Sequence, residues 1–243
     1  MWKTLRGVSV LATLGLAVTG CSETLDDITE SSTDTSPNAQ VEGPQQPTEP
    51  GSENAASAQE HLNNLRVVTL DEQHEQAAQH DKYNRKQQFG PTWPTLDQGC
   101  DARNIVLDRD LHDVNKKSDG CTVLSGTLDD PYTGNTIDFQ RGKDTSRAVQ
   151  VDHKVALSEI YESGAWDWTQ DQREEYANNP ENLMAVDGPA NNSKSDKDAA
   201  EWLPENDSYR CQYIFDQIDV KDRYGLSVDE KEKAALEQNL STC

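Results

Sequence analysis

Basic residues are scarce in this chain. Lys and Arg number 22 against 44 Asp and Glu, a formal net charge of −22. Phosphate contacts supply most of the affinity of nucleic-acid binders, so the missing positive field argues against a broad nucleic-acid surface. A polyanionic substrate would need a local cationic patch, a bound cation or fairly high salt. No Cys-x-x-Cys pair occurs, which argues against a zinc site built from cysteines. No internal repeat is found, and the apolar run Gly7 to Val18 is too short to span a bilayer comfortably.

What is present divides the chain. Its 243 residues, 33% hydrophobic and 27% charged, leave room for one domain of ordinary size with unstructured flanks. Lys3 and Arg6 precede the apolar run and small residues lead up to Cys21, so residues 1–20 read as an export signal. Val18-Thr19-Gly20-Cys21 resembles a bacterial lipobox. That resemblance implies cleavage before Cys21, a lipid on its thiol and a place on the outer face of the bacterial cell membrane. The alternative is a plain cleaved signal and a fully secreted protein. Loss of residues 1–20 removes two basic residues and no acid, leaving 20 basic against 44 acidic and a mature charge of about −24. Residues 22–60 hold nine acids and no Lys or Arg. Such a stretch cannot bury enough apolar surface to offset its chain entropy. Residues 21–60 are therefore expected to form a disordered acidic linker carrying the lipidated Cys21, and the domain to span 61–243. With Cys21 set aside, Cys100, Cys121, Cys211 and Cys243 allow three pairings. The sequence-local choice, Cys100–Cys121 and Cys211–Cys243, is favoured in an oxidising compartment.

Within the domain, Leu107, Leu111 and Val114 are spaced for a helix, stapled by the first disulfide to a strand at Thr122-Val123-Leu124. Asp130-Pro131-Tyr132-Thr133-Gly134 is a turn. Thr136–Phe139 and Val149–Asp152 alternate as strands, and Leu183–Val186 is a short apolar strand closed by Asp187-Gly188-Pro189. Helices are expected after Ala156, over Thr169–Ala177, from about Asn191, over Ser208–Val220 and over Ser227 to about Leu240, with Ser227 and Glu230 as a capping box. Tyr83-Asn84-Arg85, Phe89-Gly90 and Trp93 look like an anchoring loop in which the aromatics pack. Trp166, Trp168 and Trp202 are expected in the core.

One ordered set of residues carries chemistry. Asp152-His153 ends a strand, Asn182 precedes the next, and Asn191 opens a helix with Lys194 three residues on. Each alone is bland: a histidine on a strand, a turn asparagine, a helix cap, a solvated lysine. Together they place one carboxylate and one amide oxygen for a hard cation beside an imidazole able to activate water. The order also resembles a ββα-metal module. Asp152-His153, Asn182 and Asn191 match the HNH nuclease pattern in its His-Asn-Asn form, and Asn191-x-x-Lys194-Ser195-Asp196 is similar to the closing helix of HNH domains in RNA-guided CRISPR nucleases. Further matching segments are Gly99-Cys100-Asp101-Ala102-Arg103-Asn104, Asp129-Asp130-Pro131-Tyr132-Thr133-Gly134, Val151-Asp152-His153-Lys154-Val155-Ala156-Leu157, Gly164-Ala165-Trp166, Asn178-Asn179-Pro180-Glu181-Asn182-Leu183 and Ala199-Ala200-Glu201-Trp202-Leu203-Pro204. On these, over about residues 80–243, the chain resembles secreted HNH endonuclease family proteins related to the C-terminal domain of GmrSD-type restriction enzymes. Lys154 stands where an apolar residue is more usual in that group, and Ser195 where glycine is commoner.

The resemblance implies an α+β fold, a ββα-metal HNH core embedded in disulfide-stapled helices. It implies an exported endonuclease cutting phosphodiester bonds in DNA, or RNA, with Mg²⁺ (Mn²⁺ as the alternative). Asp152 and Asn191 would bind the cation, His153 would be the general base, and Asn182 would hold the loop carrying His153. Lys194 would contact phosphate, with Arg103, Arg147 and Lys154 as weaker candidates. The membrane, through Cys21, is the other expected partner, and no protein partner is inferred. Two rival readings are a non-catalytic surface lipoprotein that binds through the same scaffold, and a metal phosphodiesterase for small substrates. The acidic charge favours both rivals.

Overall fold

The computed structural model describes residues 50–96 and 99–243, with side chains from residue 54. The expected export signal, Cys21 and the linker as far as residue 49 lie outside the described residues. The elements run α1 (Pro50–Asn64), β1 (Arg66–Val68), α2 (Leu70–Ala78), α3 (Arg85–Gln88), α4 (Ala102–Asp110), β2 (His112–Lys116), β3 (Val123–Asp129) and β4 (Thr136–Gln140). They continue with β5 (Val149–His153), α5 (Leu157–Glu162), α6 (Gln170–Asn178), β6 (Leu183–Asp187), α7 (Gly188–Lys194), α8 (Asp207–Arg223), β7 (Ser227–Asp229) and α9 (Glu230–Leu240). Helix and strand are mixed in an α+β arrangement. Among the described residues the strands form a parallel pair β1–β7, an antiparallel β2-β3-β4 sheet and an antiparallel pair β5–β6. Cys100–Cys121 and Cys211–Cys243 are both bridged, the sequence-local pairing.

Three apolar clusters hold these parts. Helix α1 packs on α8 and α9 through Ala58, Leu62, Ile214, Ile218, Leu236 and Leu240. This corrects the expected boundary at residue 61: the folded region includes a helix from Pro50. Ala55, Ala58, Leu62 and Leu65 recur at helical spacing and make a stripe that faces α8 and α9. The Glu, Gln and Ser between them gave the segment its disordered composition. A second cluster joins α4 to β3, β5 and β6 through Val106, Leu107, Leu128, Val151 and Leu183. The third joins α5 and α6 to the end of α8 and includes Trp166 and Trp168, while Trp202 packs in the first.

Two further expectations are corrected. Val114 lies on strand β2, not on a helix, because α4 stops at Asp110 and Leu111 turns extended. A Cβ on Gly126 of β3 would lie 2.9 Å from Leu111, so the missing side chain lets the two segments close and strand pairing overrides the helical spacing. Ser227 does not cap the last helix. It is buried on β7, paired with β1, and its hydroxyl donates to the Ser163 carbonyl at 3.0 Å. Asp229 is the cap, accepting from the backbone N–H groups of Lys231 and Glu232. The sequence reading also missed α2, which carries a capping box of Thr69 and Glu72.

One device positions the site. Among the described residues strand β6 pairs with β5 alone, and an open edge leaves backbone groups unpaired. Side chains fill that edge here. Asp110 accepts from Ala185 N–H at 2.8 Å, Asp130 accepts from Asp187 N–H at 2.7 Å, and Arg109 donates to the Leu183 carbonyl at 2.7 Å. The β5–β6 pair is thereby fixed without a third strand.

Candidate active site

Strand β5 ends on Asp152 and His153, which stand opposite Met184 and Leu183 of β6. The turn into α7 is tight. Gly188 N–H donates to the Ala148 carbonyl at 2.9 Å, and a Cβ at Gly188 would lie 2.0 Å from the Arg147 carbonyl oxygen, so no other residue fits. Asp187 caps α7 by accepting from Ala190 N–H at 2.7 Å. Strand, turn and helix together carry Asn191 and Lys194, one helical turn apart, towards β5.

Asp152 is 7% exposed, and its two oxygens differ. Oδ2 accepts from the Tyr132 hydroxyl at 2.7 Å and from the Lys194 ammonium at 2.8 Å. Oδ1 has no hydrogen-bond partner among the described residues. Tyr132 reaches Asp152 from the Asp130–Gly134 turn, whose first residue is the one that holds Asp187. Burial, with the Asp152 charge, pushes the Tyr132 phenol well above its ordinary range, so it stays a donor. Lys194 is fully buried and gives a second hydrogen bond to the His153 carbonyl at 2.9 Å. This corrects its expected role: it neutralises Asp152 and ties down the strand end, and it offers nothing to a phosphate in solvent.

His153 is half-buried between Trp93 and Tyr176, whose ring centroids lie 6.2 and 6.3 Å from its own. Its Nε2 is 2.9 Å from the Ala177 carbonyl, which can only accept. The neutral ring therefore carries its proton on Nε2 and leaves Nδ1 as a base. Burial lowers the imidazole to about 4, outweighing the Ala177 carbonyl and Asp152, which favour the charged form; Lys194 and Arg85 lower it further. Asn191 donates its amide N–H to Gln150 at 3.0 Å, and its Oδ1 has no hydrogen-bond partner among the described residues. Gln150 sits two residues before Asp152, on the same face of β5 by strand alternation. Asn182 is fully buried. Its backbone carbonyl accepts from Lys154 N–H at 2.9 Å, and its side-chain amide donates to Tyr224 at 2.9 Å and to the Tyr176 carbonyl at 3.3 Å. It thus binds the segment after His153 to the segment before β6.

Asp152, His153 and Asn191 line a cleft of about 460 Å³, together with Tyr83, Arg85 and Trp93. The three weaker phosphate candidates are not among its lining. Lys154, just past the end of β5, pairs with Asp216 at 2.9 Å and lines a separate cleft. Arg103 is spent on the Val149 carbonyl at 3.2 Å, and burial lowers its pKa. Arg147 lines the adjoining cleft, which shares Asn192 with the first. Sequence reasoning missed Tyr132 and Gln150 as site residues, although alternation from Asp152 could have found Gln150. It read Trp93 and Arg85 as loop packing, whereas both line the cleft.

Among the described residues no group of three or more His, Cys, Asp and Glu is placed to hold a metal. A hard cation nevertheless fits the donors present. Neither Asp152 Oδ1 nor Asn191 Oδ1 has a hydrogen-bond partner among the described residues, both residues line one cleft, and Mg²⁺ needs few protein ligands because it keeps several waters.

Residues 101–238 match the family model for GmrSD restriction endonucleases, C-terminal domain. Over 200 residues the chain is 38% identical to an uncharacterized secreted protein of Arthroderma benhamiae, covering 81% of this chain and 90% of that protein. No solved structure matches the chain. The family match spans more than half of the chain, including Asp152, His153, Asn182, Asn191 and Lys194, and the chain belongs to the family of the GmrSD restriction endonuclease C-terminal domains.

Proposed function

We propose that the chain is an exported, divalent-cation-dependent endonuclease of the HNH type that hydrolyses phosphodiester bonds in DNA. One observation carries the reading. His153 has Nε2 tied to a carbonyl and Nδ1 left as a base, next to one unshared Asp152 oxygen and the free oxygen of Asn191. In this reading Nδ1 takes the proton of a water as that water's oxygen bonds to phosphorus. The bond from phosphorus to the leaving oxygen breaks, and that oxygen takes a proton from solvent. Asp152 Oδ1 and Asn191 Oδ1 would hold Mg²⁺ or Mn²⁺, which supplies charge stabilisation at the phosphate and the leaving oxygen. Lys194 and Tyr132 fix the carboxylate, and Asn182 fixes the chain behind the imidazole.

The family supports DNA as the substrate, and the two disulfides and the secreted relative support export. A lipid on Cys21 and residence on the cell surface are part of the proposal. One observation favours the small-substrate phosphodiesterase instead: of the residues lining the cleft, Arg85 is the one Lys or Arg. The test is incubation of the mature chain with plasmid DNA, RNA and bis(p-nitrophenyl) phosphate, each with EDTA and with Mg²⁺ or Mn²⁺. Cation-dependent nicking of plasmid is expected. Hydrolysis of the small diester alone would favour the rival, and no hydrolysis of any substrate would favour the non-catalytic binding protein.

A further inference from the structure

We infer that the cleft receives an unpaired nucleotide whose base stacks on Trp93 beside the scissile phosphate, so that single-stranded DNA is the preferred substrate. This rests on the nuclease reading and adds the substrate form and the residue that selects it.

The aromatic wall is built rather than incidental. Trp93 has a φ of 56°, in the left-handed region that a bulky side chain adopts only at a cost. The segment before it is clamped. The buried Gln88 side chain accepts from Asn84 N–H and donates to the Asp81 and Lys82 carbonyls, and Phe89 is fully buried. Arg85 donates to Thr92 at 2.7 Å, closing the segment across its base. These contacts fix the chain that leads into Trp93, whose partly exposed indole packs against the α4 cluster with its plane within 10° of the His153 ring. A flat group entering the cleft beside the base would meet an aromatic face already in place. Neither the Trp93 indole N–H nor the Tyr83 hydroxyl has a hydrogen-bond partner among the described residues, and both residues line the cleft.

Charge points the same way. Duplex binding rests on many phosphate contacts made by Lys and Arg. Here one arginine, Arg85, lines the cleft and one, Arg147, lines the adjoining one, on a chain of net charge −22. So few cations beside an aromatic suit single-strand recognition, in which stacking supplies what phosphate contacts do not. The cleft, at about 460 Å³, lies within the size range of small-ligand sites.

Binding tests this without turnover. Fluorescence anisotropy on the mature chain carrying His153→Gln, in Mg²⁺, would compare a short single-stranded oligonucleotide, the same backbone with abasic sites, and the duplex. The abasic strand carries the same phosphate charge, so any difference reports the bases. We expect the base-bearing strand to bind about 5- to 150-fold tighter than the abasic one. Trp93→Ala should remove that difference and Trp93→Phe should restore most of it. Equal affinity for abasic and base-bearing strands, or tighter binding of the duplex, would overturn the inference. If Trp93→Ala does not fold, the abasic comparison on the intact tryptophan decides alone. Failure of the wild-type chain to hydrolyse DNA would bear on the nuclease reading and leave this binding series to be judged by itself.

Discussion

Lys194 and Lys221 are both completely buried, and the molecule uses them in opposite ways. Lys221 lies between two carboxylates, Glu159 at 2.7 Å and Glu232 at 2.6 Å. Lys194 meets one, Asp152, and gives another hydrogen bond to a backbone carbonyl. At Lys221 two carboxyl groups share one ammonium, and one of them, Glu232, is almost wholly enclosed. Burial pushes the Glu232 carboxyl up to about 8, with Glu159 adding repulsion against the pull of Lys221. Burial opposes the Lys221 charge too, but the two glutamates outweigh it and hold the ammonium above its ordinary value. At Lys194 the charges match one to one, and the carboxylate keeps an oxygen in reserve on the cleft. The Lys221–Glu232 pair is enclosed on both sides, whereas Asp152 lines the cleft with one oxygen unused by Lys194 and Tyr132.

Substitution of the two lysines tests that contrast most strongly. Lys221→Met strands two carboxylates and should cost about 3–5 kcal/mol in urea unfolding. Lys194→Met strands one carboxylate and should cost a comparable amount. The two should part when Mg²⁺ is added: the cation should restore part of the stability of Lys194→Met and none of that of Lys221→Met. Equal rescue, or none in either, would erase the distinction between the two pairs.

The next effect is smaller and depends on pH. Glu232 has a folded pKa above its unfolded value, so its contribution to stability is full below about 4.5 and is lost as pH rises towards 8. Thermal melts of the wild type and Glu232→Gln from pH 5 to 9 should diverge, the wild type losing up to ~1.4 kcal/mol per pH unit relative to the variant. Parallel curves would mean that Glu232 is ionised throughout. His153 shifts the other way. Burial holds it at about 4, so DNA cleavage should persist below the ordinary histidine range and fall off only as pH approaches 4. An acid limb near 6.5 in the pH–rate profile would mean an exposed imidazole or a different base.

The smallest effect lies at the end of α7. Ser195 has a φ of 53° and a ψ of −121°, where glycine is at ease and serine is strained. Ser195→Gly should raise the melting temperature, by about 1 kcal/mol of stability once glycine's entropy is set against the relieved strain. A lower melting temperature would show that the serine makes a compensating contact.

Ser195 also shows how much could be read in advance. Its place in the motif could be set against the resemblance, which implied glycine there, while its left-handed backbone was not visible. Strand β5 was legible from its alternation and β6 from its short apolar run, both local patterns, and with them Asp152-His153 at a strand end. The short pairing of the cysteines was legible for the same reason. What was lost depends on distant contacts. A lysine on a helix reads as solvated until α7 is laid on β5. Val114 reads as helical until Gly126 lets Leu111 close on β3. The stripe of α1 is hidden in an acidic segment until α8 and α9 are there to receive it. Trp93 reads as packing until the turn before it brings it to His153.

In the proposed reaction His153 acts as the base on a water at a cation that Asp152 and Asn191 would hold. Its most direct test is single-turnover cleavage of DNA by the mature wild-type chain and by His153→Ala, at saturating Mg²⁺ and again in EDTA. The variant should lose about 10²–10⁴-fold in rate, with DNA binding and melting temperature nearly unchanged, and neither protein should cleave in EDTA. A wild-type rate in His153→Ala, or cleavage that survives chelation, would contradict it.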